Sequence, residues 1–194
     1  MGLAMATNLQ KHLATKSTLN SLLYSNRTMS RGEPLKALGA KPETNFSKLV
    51  SQCGIIFTMV SPIQLLCSFL LVYHADRLTK DKVSNDDVLR SLVSSVTEDP
   101  TQCLKDKIFV DCSTVHPQTV GLTVAKLKEK QADFLAAPVF GGNPIAVDGK
   151  LVFAIAGPKR ASDIVKPLIQ DIMGRKVIDC GEDATKSSML KIAG

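Results

Sequence analysis

The chain has 194 residues, 44% of them hydrophobic and 22% charged, a composition typical of a globular protein with a buried core. Trp is absent and only 5% of the residues are aromatic, which argues against an aromatic surface for stacking nucleobases. The net charge of +6 is not gathered in a Lys/Arg block, so we expect no nucleic-acid partner. The interpretation that we favour for this charge is a mildly basic soluble protein, and the sharper alternative is a site for an anionic ligand.

Cysteine and histidine usage indicates neither a disulfide framework nor a metal site. The five cysteines form no C-x-x-C pair, and the three histidines lack the spacing of metal ligands. No basic-then-apolar leader opens the chain. We therefore expect a reducing compartment, the cytoplasm, with the mitochondrion as the alternative if a presequence precedes Met1.

Apolar runs and breaker residues predict alternating helices and strands. In chain order these are a helix at 3–13, a strand at 22–25, helices at 32–38 and 46–52, a strand at 54–60, a helix at 85–95, a strand at 107–111, a helix at 117–130, strands at 132–139 and 151–157, a helix at 158–171, a strand at 176–180 and a helix from 183 onward. This alternation predicts an α/β fold with a mostly parallel sheet.

The segment 62–83 interrupts this order. Without it, the strand at 54–60 would pass through a polar turn with Asn85 and Asp86 into the next helix, an ordinary connection. Three interpretations stay open: an uncharged membrane span over 54–73, a natural insertion, or a read-through segment such as a retained intron. We favour the third because the flanks join so directly.

Two early motifs suggest a dinucleotide site. Gly2 and the small residues after it are typical of the end of a G-x-G-x-x-G turn, where a helix N-terminus faces a pyrophosphate. "NRT" follows the second strand, at the point that meets the adenosine ribose. Arg27 there favours the 2′-phosphate of NADP, because no acidic residue is present to accept the 2′-hydroxyl of NAD.

Later motifs suggest a substrate site. "FVDCSTVHPQT" (109–119) is a strand that ends in a Ser-Thr turn, and "APVFGG" (137–142) is a strand that ends in paired glycines. The backbone N–H groups of Gly141 and Gly142 can approach an anion closely. The last predicted helix carries Lys186 and Lys191.

In this order, the motifs "MGLAMATNL", "NRT", "FTMV", "DCSTVHP", "APVFGG" and the lysine helix resemble the β-hydroxyacid dehydrogenase family, which includes 3-hydroxyisobutyrate and 6-phosphogluconate dehydrogenases. The resemblance covers nearly the whole chain apart from 62–83. It implies a Rossmann-like NADP-binding domain over 1–182, and at 183–194 the start of a helix leading to an all-α domain used in dimerisation. It also implies reversible oxidation of a small anionic 3-hydroxy acid by NADP or NAD, with no metal and no membrane partner.

The resemblance assigns roles to particular residues. The cofactor would be bound by Gly2, Met5, Ala6, Asn26, Arg27, Thr28, Met59, Val60 and Thr114. The substrate would be bound by Ser113, Gly141 and Gly142. A lysine would handle the hydroxyl proton, and we prefer Lys191 to Lys186 for this role because the family lysine is followed by three residues and then an asparagine.

This sequence also departs from the family pattern. The first strand, the first two glycines of the turn, the partner asparagine and the second domain are not in it, and Phe140 stands where the family commonly has Ser. We therefore expect this chain to bind NADP weakly or not at all and to turn over no 3-hydroxy acid. A non-catalytic nucleotide-binding or interaction module is the alternative.

Overall fold

Helices and strands alternate along the described residues, which are 1–16, 21–60 and 84–194 of a computed structural model. The helices are α1 (Gly2–Thr15), α2 (Glu33–Ala37), α3 (Phe46–Gln52), α4 (Asn85–Thr97), α5 (Pro117–Glu129), α6 (Asn143–Val147), α7 (Lys159–Ile169) and α8 (Thr185–Ala193). The strands are β1 (Leu23–Tyr24), β2 (Lys41–Pro42), β3 (Ile55–Thr58), β4 (Ile108–Asp111), β5 (Asp133–Ala136), β6 (Val139–Phe140), β7 (Leu151–Ile155) and β8 (Gly174–Asp179).

Most strand pairs are parallel. β1 pairs with β2, and β4 lies between β3 and β5, all in parallel. β7 lies between β8, which is parallel to it, and β6, which is antiparallel. A two-way bridge between Ala136 and Ala156 links the end of β5 to the end of β7. The predicted α/β, mostly parallel Rossmann-like fold is thus confirmed, with β6 as the antiparallel exception.

The single strand predicted at 132–139 is wrong in one respect, because it forms two strands that belong to different sheets. Pro138 lies between β5 and β6 and has no N–H to continue the β4 ladder. Its carbonyl instead accepts the Ala154 N–H at 3.1 Å, so the chain has passed to β7. β2 and α6 were not predicted from the sequence, since elements of two and five residues carry too little periodicity.

The hydrophobic core is one large cluster with a small cluster beside it. The large cluster joins β3, β4, β5 and β7 to one side of α1, α3, α4, α5 and α7. The small cluster consists of Ala6, Tyr24, Leu35 and Ala40, and it packs α1 and α2 around β1. Because β3 and β4 are parallel, their carboxyl ends meet at one edge of the sheet, where ligands of open α/β sheets bind.

The segment 62–83 lies outside the described residues, and so does most of the membrane span considered for 54–73. The described part of that span begins with β3, a strand in the sheet. No helix in the described ranges is long and apolar enough to cross a membrane. On the far side of the segment, Ser84 and Asp87 form a reciprocal capping box that fixes the start of α4.

Candidate functional site

A buried carboxylate joins the carboxyl ends of β3 and β4. Oδ1 of Asp111 accepts hydrogen bonds from Thr58 Oγ1 at 2.7 Å and from Ser113 Oγ at 2.8 Å. Ser113 Oγ in turn accepts the Val60 N–H at 2.8 Å. These four residues are buried, and we call them the Asp111 network. The network fixes the turns after both strands, so their backbone positions are set before any ligand arrives.

The protonation state of Asp111 is set mainly by its surroundings. Burial raises its pKa from 3.8 to about 6, because a charged carboxylate loses its hydration in the core. The hydrogen bonds from Thr58 and Ser113 lower the pKa against this effect, and the negative charge of Asp86 adds a small further increase. Asp111 therefore changes charge closer to neutral pH than an exposed aspartate does.

The network bears on the role predicted for Ser113. A hydroxyl has a single proton, and that of Ser113 is donated to Asp111. Ser113 is also 1% exposed. In this arrangement its hydroxyl has no proton left for a substrate, and what it contributes is the placement of the Val60 and Thr114 backbone. Sequence reasoning did not single out Asp111 or Thr58, although an Asp that ends an apolar strand is a recognisable signal.

Thr114 lies on the surface immediately after the network. Its carbonyl accepts a hydrogen bond from Asn85 Nδ2 at 2.9 Å, and the His116 N–H donates to Asp86 Oδ1 at 2.9 Å. The N-terminus of α4 is therefore tied to the loop after β4. The exposed Thr114 hydroxyl remains accessible to a ligand at this edge.

The loop after β1 presents an arginine to solvent. Asn26 is 4% exposed, and its Nδ2 donates to the Thr28 carbonyl at 3.1 Å, which closes the turn. Arg27 lies at the tip of this turn and is exposed. Its guanidinium forms no ion pair with a residue in the described ranges. The turn thus holds a fixed backbone and an unneutralised cation.

The residues predicted at the start of α1 divide into two kinds. Met5 and Ala6 are buried in the core, so their side chains pack under the helix rather than face a ligand. The first turn, which starts at Gly2, has no side-chain cap and no acidic residue. Its backbone N–H groups are the part suited to an anion. Asn8 extends from α1 to the α6 carbonyl of Ala146 at 2.9 Å.

The paired glycines lie between β6 and α6. Gly141 has φ +128°, and a Cβ there would lie 2.9 Å from Leu151 Cδ2, so a side chain is excluded by both strain and space. Both glycines are exposed, and neither N–H donates to a described residue. The backbone N–H groups predicted to bind an anion therefore have no acceptor among the described residues.

Lys191 contacts the residue that directly precedes this turn. Its Nζ lies 4.3 Å from the centroid of the Phe140 ring, which directly precedes Gly141. Lys186, the alternative, is exposed near the start of α8. The structure thus brings together Lys191 and Phe140, the residue before the paired glycines, and separately Val60 and Ser113, the chain neighbours of Met59 and Thr114. No hydrogen bond or ion pair joins Arg27 to either group among the described residues.

Fold and site together define a nucleotide-binding α/β domain, and comparison with known proteins specifies its family. The sequence model of the NAD binding domain of 6-phosphogluconate dehydrogenase matches residues 77–181, more than half of the chain. The chain therefore belongs to this family, and its predicted membership of the β-hydroxyacid dehydrogenases is confirmed.

Three similar proteins illustrate the relationship. The mitochondrial 3-hydroxyisobutyrate dehydrogenase of Drosophila melanogaster is 39% identical over 77 residues, which are 40% of this chain and 24% of the relative. The NADH-dependent oxidoreductase ucdB of Aspergillus ustus is 24% identical over 199 residues, covering 100% of this chain and 56% of the relative.

A solved 3-hydroxyisobutyrate dehydrogenase of Mycobacterium tuberculosis, crystallised with L-serine, superposes with a TM-score of 0.75 at 18% identity, covering 100% of this chain and 55% of that structure. At this identity the likeness shows the fold. The chain spans about half the length of these relatives, or less.

Proposed function

We propose that this chain is the NADP-binding domain of an oxidoreductase that oxidises a small 3-hydroxy acid, such as 3-hydroxyisobutyrate, by hydride transfer. The observation that carries the proposal is the contact of Lys191, which has no acidic partner among the described residues, with Phe140, the residue before an exposed glycine turn. A general base must come within hydrogen-bond reach of the proton it removes, and an anion-binding turn next to it can hold the substrate carboxylate.

The dinucleotide would extend along the carboxyl ends of β1, β3 and β4. The first turn of α1 would bind the pyrophosphate of the dinucleotide. Arg27 would bind a 2′-phosphate, and Val60 and Thr114 would lie beside the nicotinamide. The Asp111 network supports the last two by fixing their backbone. When bound, the cofactor supplies the hydride acceptor.

The choice of NADP over NAD depends on Arg27. Its guanidinium is exposed and unneutralised by described residues, and a guanidinium pairs with phosphate in two-point hydrogen bonds. One relative is NADH-dependent by name, which makes NAD the alternative to be tested. Cofactor preference is thus the most direct measurement of this part of the proposal.

The substrate end would be formed by the glycine turn and Lys191. The N–H groups of Gly141 and Gly142 would donate to the carboxylate. The Lys191 amine, in its neutral form, would accept the hydroxyl proton as hydride leaves the carbon that bears the hydroxyl and that carbon becomes a carbonyl. In the reverse direction the ammonium would return the proton.

For the 194-residue chain alone we expect weak NADP binding and no turnover. β1 pairs with β2 and β3 pairs with β4, and no described strand joins these two pairs. In a Rossmann sheet the pyrophosphate turn follows a strand at that place. Without a strand to fix it, the α1 first turn contributes less to binding.

The test is a titration of NADPH and NADH against the chain, followed by saturation-transfer NMR so that weak binding is still detected. Arg27→Ala should remove the preference for NADPH, with a loss of about 10- to 100-fold if the phosphate contact forms. Arg175→Ala, which removes an equal charge from exposed β8, should leave the preference unchanged.

Equal binding of both cofactors by the unmodified chain would contradict the role of Arg27. Micromolar NADPH affinity or measurable dehydrogenase activity would contradict the expectation of weak binding and no turnover. Binding of neither cofactor at any concentration would favour the alternative of an interaction module.

A further inference from the structure

Lys191 is held differently from other lysines that have a partner in this molecule. Lys48, Lys126, Lys150, Lys159 and Lys166 each lie within 4 Å of a carboxylate. Lys191 instead lies over the face of Phe140, with its Nζ 4.3 Å from the ring centroid. This distance is within the range of a cation–π interaction, in which the negative face of the ring attracts the ammonium.

The two kinds of partner leave an ammonium in different states. A carboxylate accepts the N–H groups of lysine and neutralises its charge, which occupies the donors that a substrate would need. An aromatic face attracts the charge as a whole and leaves N–H groups directed away from the ring available. The Lys191 ammonium is therefore positioned and still able to donate an N–H to a ligand.

We propose that Phe140 is a positioning residue that holds the Lys191 ammonium beside the Gly141–Gly142 turn through its ring face. The proposal rests on the function proposed above for Lys191. The ring and the turn are covalently continuous, because Phe140 ends β6 and Gly141 follows it. The residue that holds the lysine is thus the chain neighbour of the turn that would bind the carboxylate.

The arrangement also restricts the substrate. An oxygen within hydrogen-bond reach of Nζ, about 3 Å, would lie within about 7 Å of the Phe140 ring centroid. The ring is half-buried and offers no hydrogen-bond donor or acceptor. The part of a substrate that meets it would be apolar, since a hydroxyl there would lose water without gaining a partner.

The first test is carbon-13 NMR of the chain after reductive dimethylation of its lysines, which keeps their charge. The ring current of Phe140 should move the Lys191 methyl signal upfield of the other lysine signals, and Lys191→Met assigns it by its disappearance. Phe140→Leu should return the signal to the range of the exposed lysines, whereas Phe140→Tyr should keep it upfield. The Lys186 signal is the control and should not move.

The second test measures acetylation rates at Lys191 and Lys186 by peptide mass spectrometry. Phe140→Leu should raise the ratio of the Lys191 rate to the Lys186 rate by about two- to fivefold, the effect of releasing an exposed cation–π pair. Phe140→Tyr should leave the ratio at the unmodified value.

A Lys191 signal among the exposed lysines in the unmodified chain would overturn the proposal, and so would a rate ratio that Phe140→Leu does not alter. If Phe140→Leu does not fold, the upfield signal of the unmodified chain and its retention in Phe140→Tyr decide the question. Both tests are made without cofactor or substrate. A confirmed pair in a chain that binds no dinucleotide would therefore count against the proposed function and leave the role of Phe140 in holding Lys191 standing.

Discussion

Two strand groups of this domain differ in what holds them together. The group β3, β4 and β5 has four-residue strands in register, a core on the large cluster, and the Asp111 network across its carboxyl ends. The pair β1 and β2 has two-residue strands and the small cluster. Gln10 extends its side chain to this pair, accepting the Leu22 N–H and donating to the Leu38 carbonyl, both at 3.0 Å.

The difference shows how each part of the site is built. At the β3–β4 end, the ligand-facing backbone is fixed by a network that is itself buried and complete. At the β1 end, the turn with Arg27 is positioned by side chains that reach from α1 and α2. We therefore expect the first group to determine the global stability of the domain and the β1–β2 pair to open more easily.

The largest expected effect comes from truncating the large cluster. Leu135 in β5 is fully buried, and Leu135→Ala should lower the free energy of unfolding by about 2–5 kcal/mol. Leu35, equally buried in the small cluster, is the matched control. Leu35→Ala should mainly lower hydrogen-exchange protection around β1 and β2. Equal losses of global stability in urea unfolding would show that the two groups are one cooperative unit.

The Asp111 network should make stability depend on pH. The pKa of Asp111 is about 6 in the folded chain and near 3.8 when unfolded, so the folded state binds the proton more tightly. Its contribution to stability is present below about pH 4 and is lost as the pH rises through about 6, by about 3 kcal/mol at most. Asp111→Asn should reduce the change in the free energy of unfolding between pH 4 and pH 7, measured by urea unfolding.

Asp99→Asn is the control for this pH dependence. Asp99 is half-buried, and hydrogen bonds from Thr101 lower its pKa, so its own effect has the opposite sign. Asp99→Asn should leave the decline in the free energy of unfolding between pH 4 and pH 7 unchanged. Parallel curves for Asp111→Asn and the unmodified chain would contradict the inference that Asp111 titrates in this range.

A smaller effect is expected from filling the space beside Tyr24. A Cβ added at Gly32 would overlap Cε2 of the Tyr24 ring and lie 2.7 Å from Cζ. Gly32→Ala should cost about 1–3 kcal/mol, with the loss of protection centred on β1. Gly54 directly precedes β3, and a Cβ added there would meet no atom within 4 Å. Gly54→Ala should therefore leave the free energy of unfolding nearly unchanged. Comparable losses in both variants would argue against the packing of Tyr24 on Gly32.

The smallest expected effect tests the link from α1 to the β1 region. Gln10→Ala leaves the Leu22 N–H and the Leu38 carbonyl without their side-chain partner. The loss should cost about 0.5–1.5 kcal/mol, because both residues are partly exposed and water can replace the partner. Gln118→Ala, an exposed glutamine near the start of α5, is the control. Hydrogen exchange at Leu22 is the measurement, and unchanged protection there would contradict the link.

Much of the fold was predictable because its information is local. The runs "GIIFTMV" and "KIFVD" have the length and β-branched content of buried strands, and Pro117 marks a helix start. The division at Pro138 was not predicted, because whether a strand continues depends on which neighbour its backbone meets. β2 was missed since its pairing with β1, rather than its own sequence, makes it a strand.

The candidate site divides in the same way. The sequence by itself determined the local motifs: a helix start with small residues, Arg27 after a strand, a Ser-Thr turn, paired glycines and a helix with two lysines. Each of these motifs is defined by residues that are adjacent in the chain. Only the tertiary structure decided that Ser113 gives its proton to Asp111 and that Lys191 rests on Phe140. Those contacts join side chains from different elements, and the direction of a hydrogen bond or the face of a ring follows from how the elements pack.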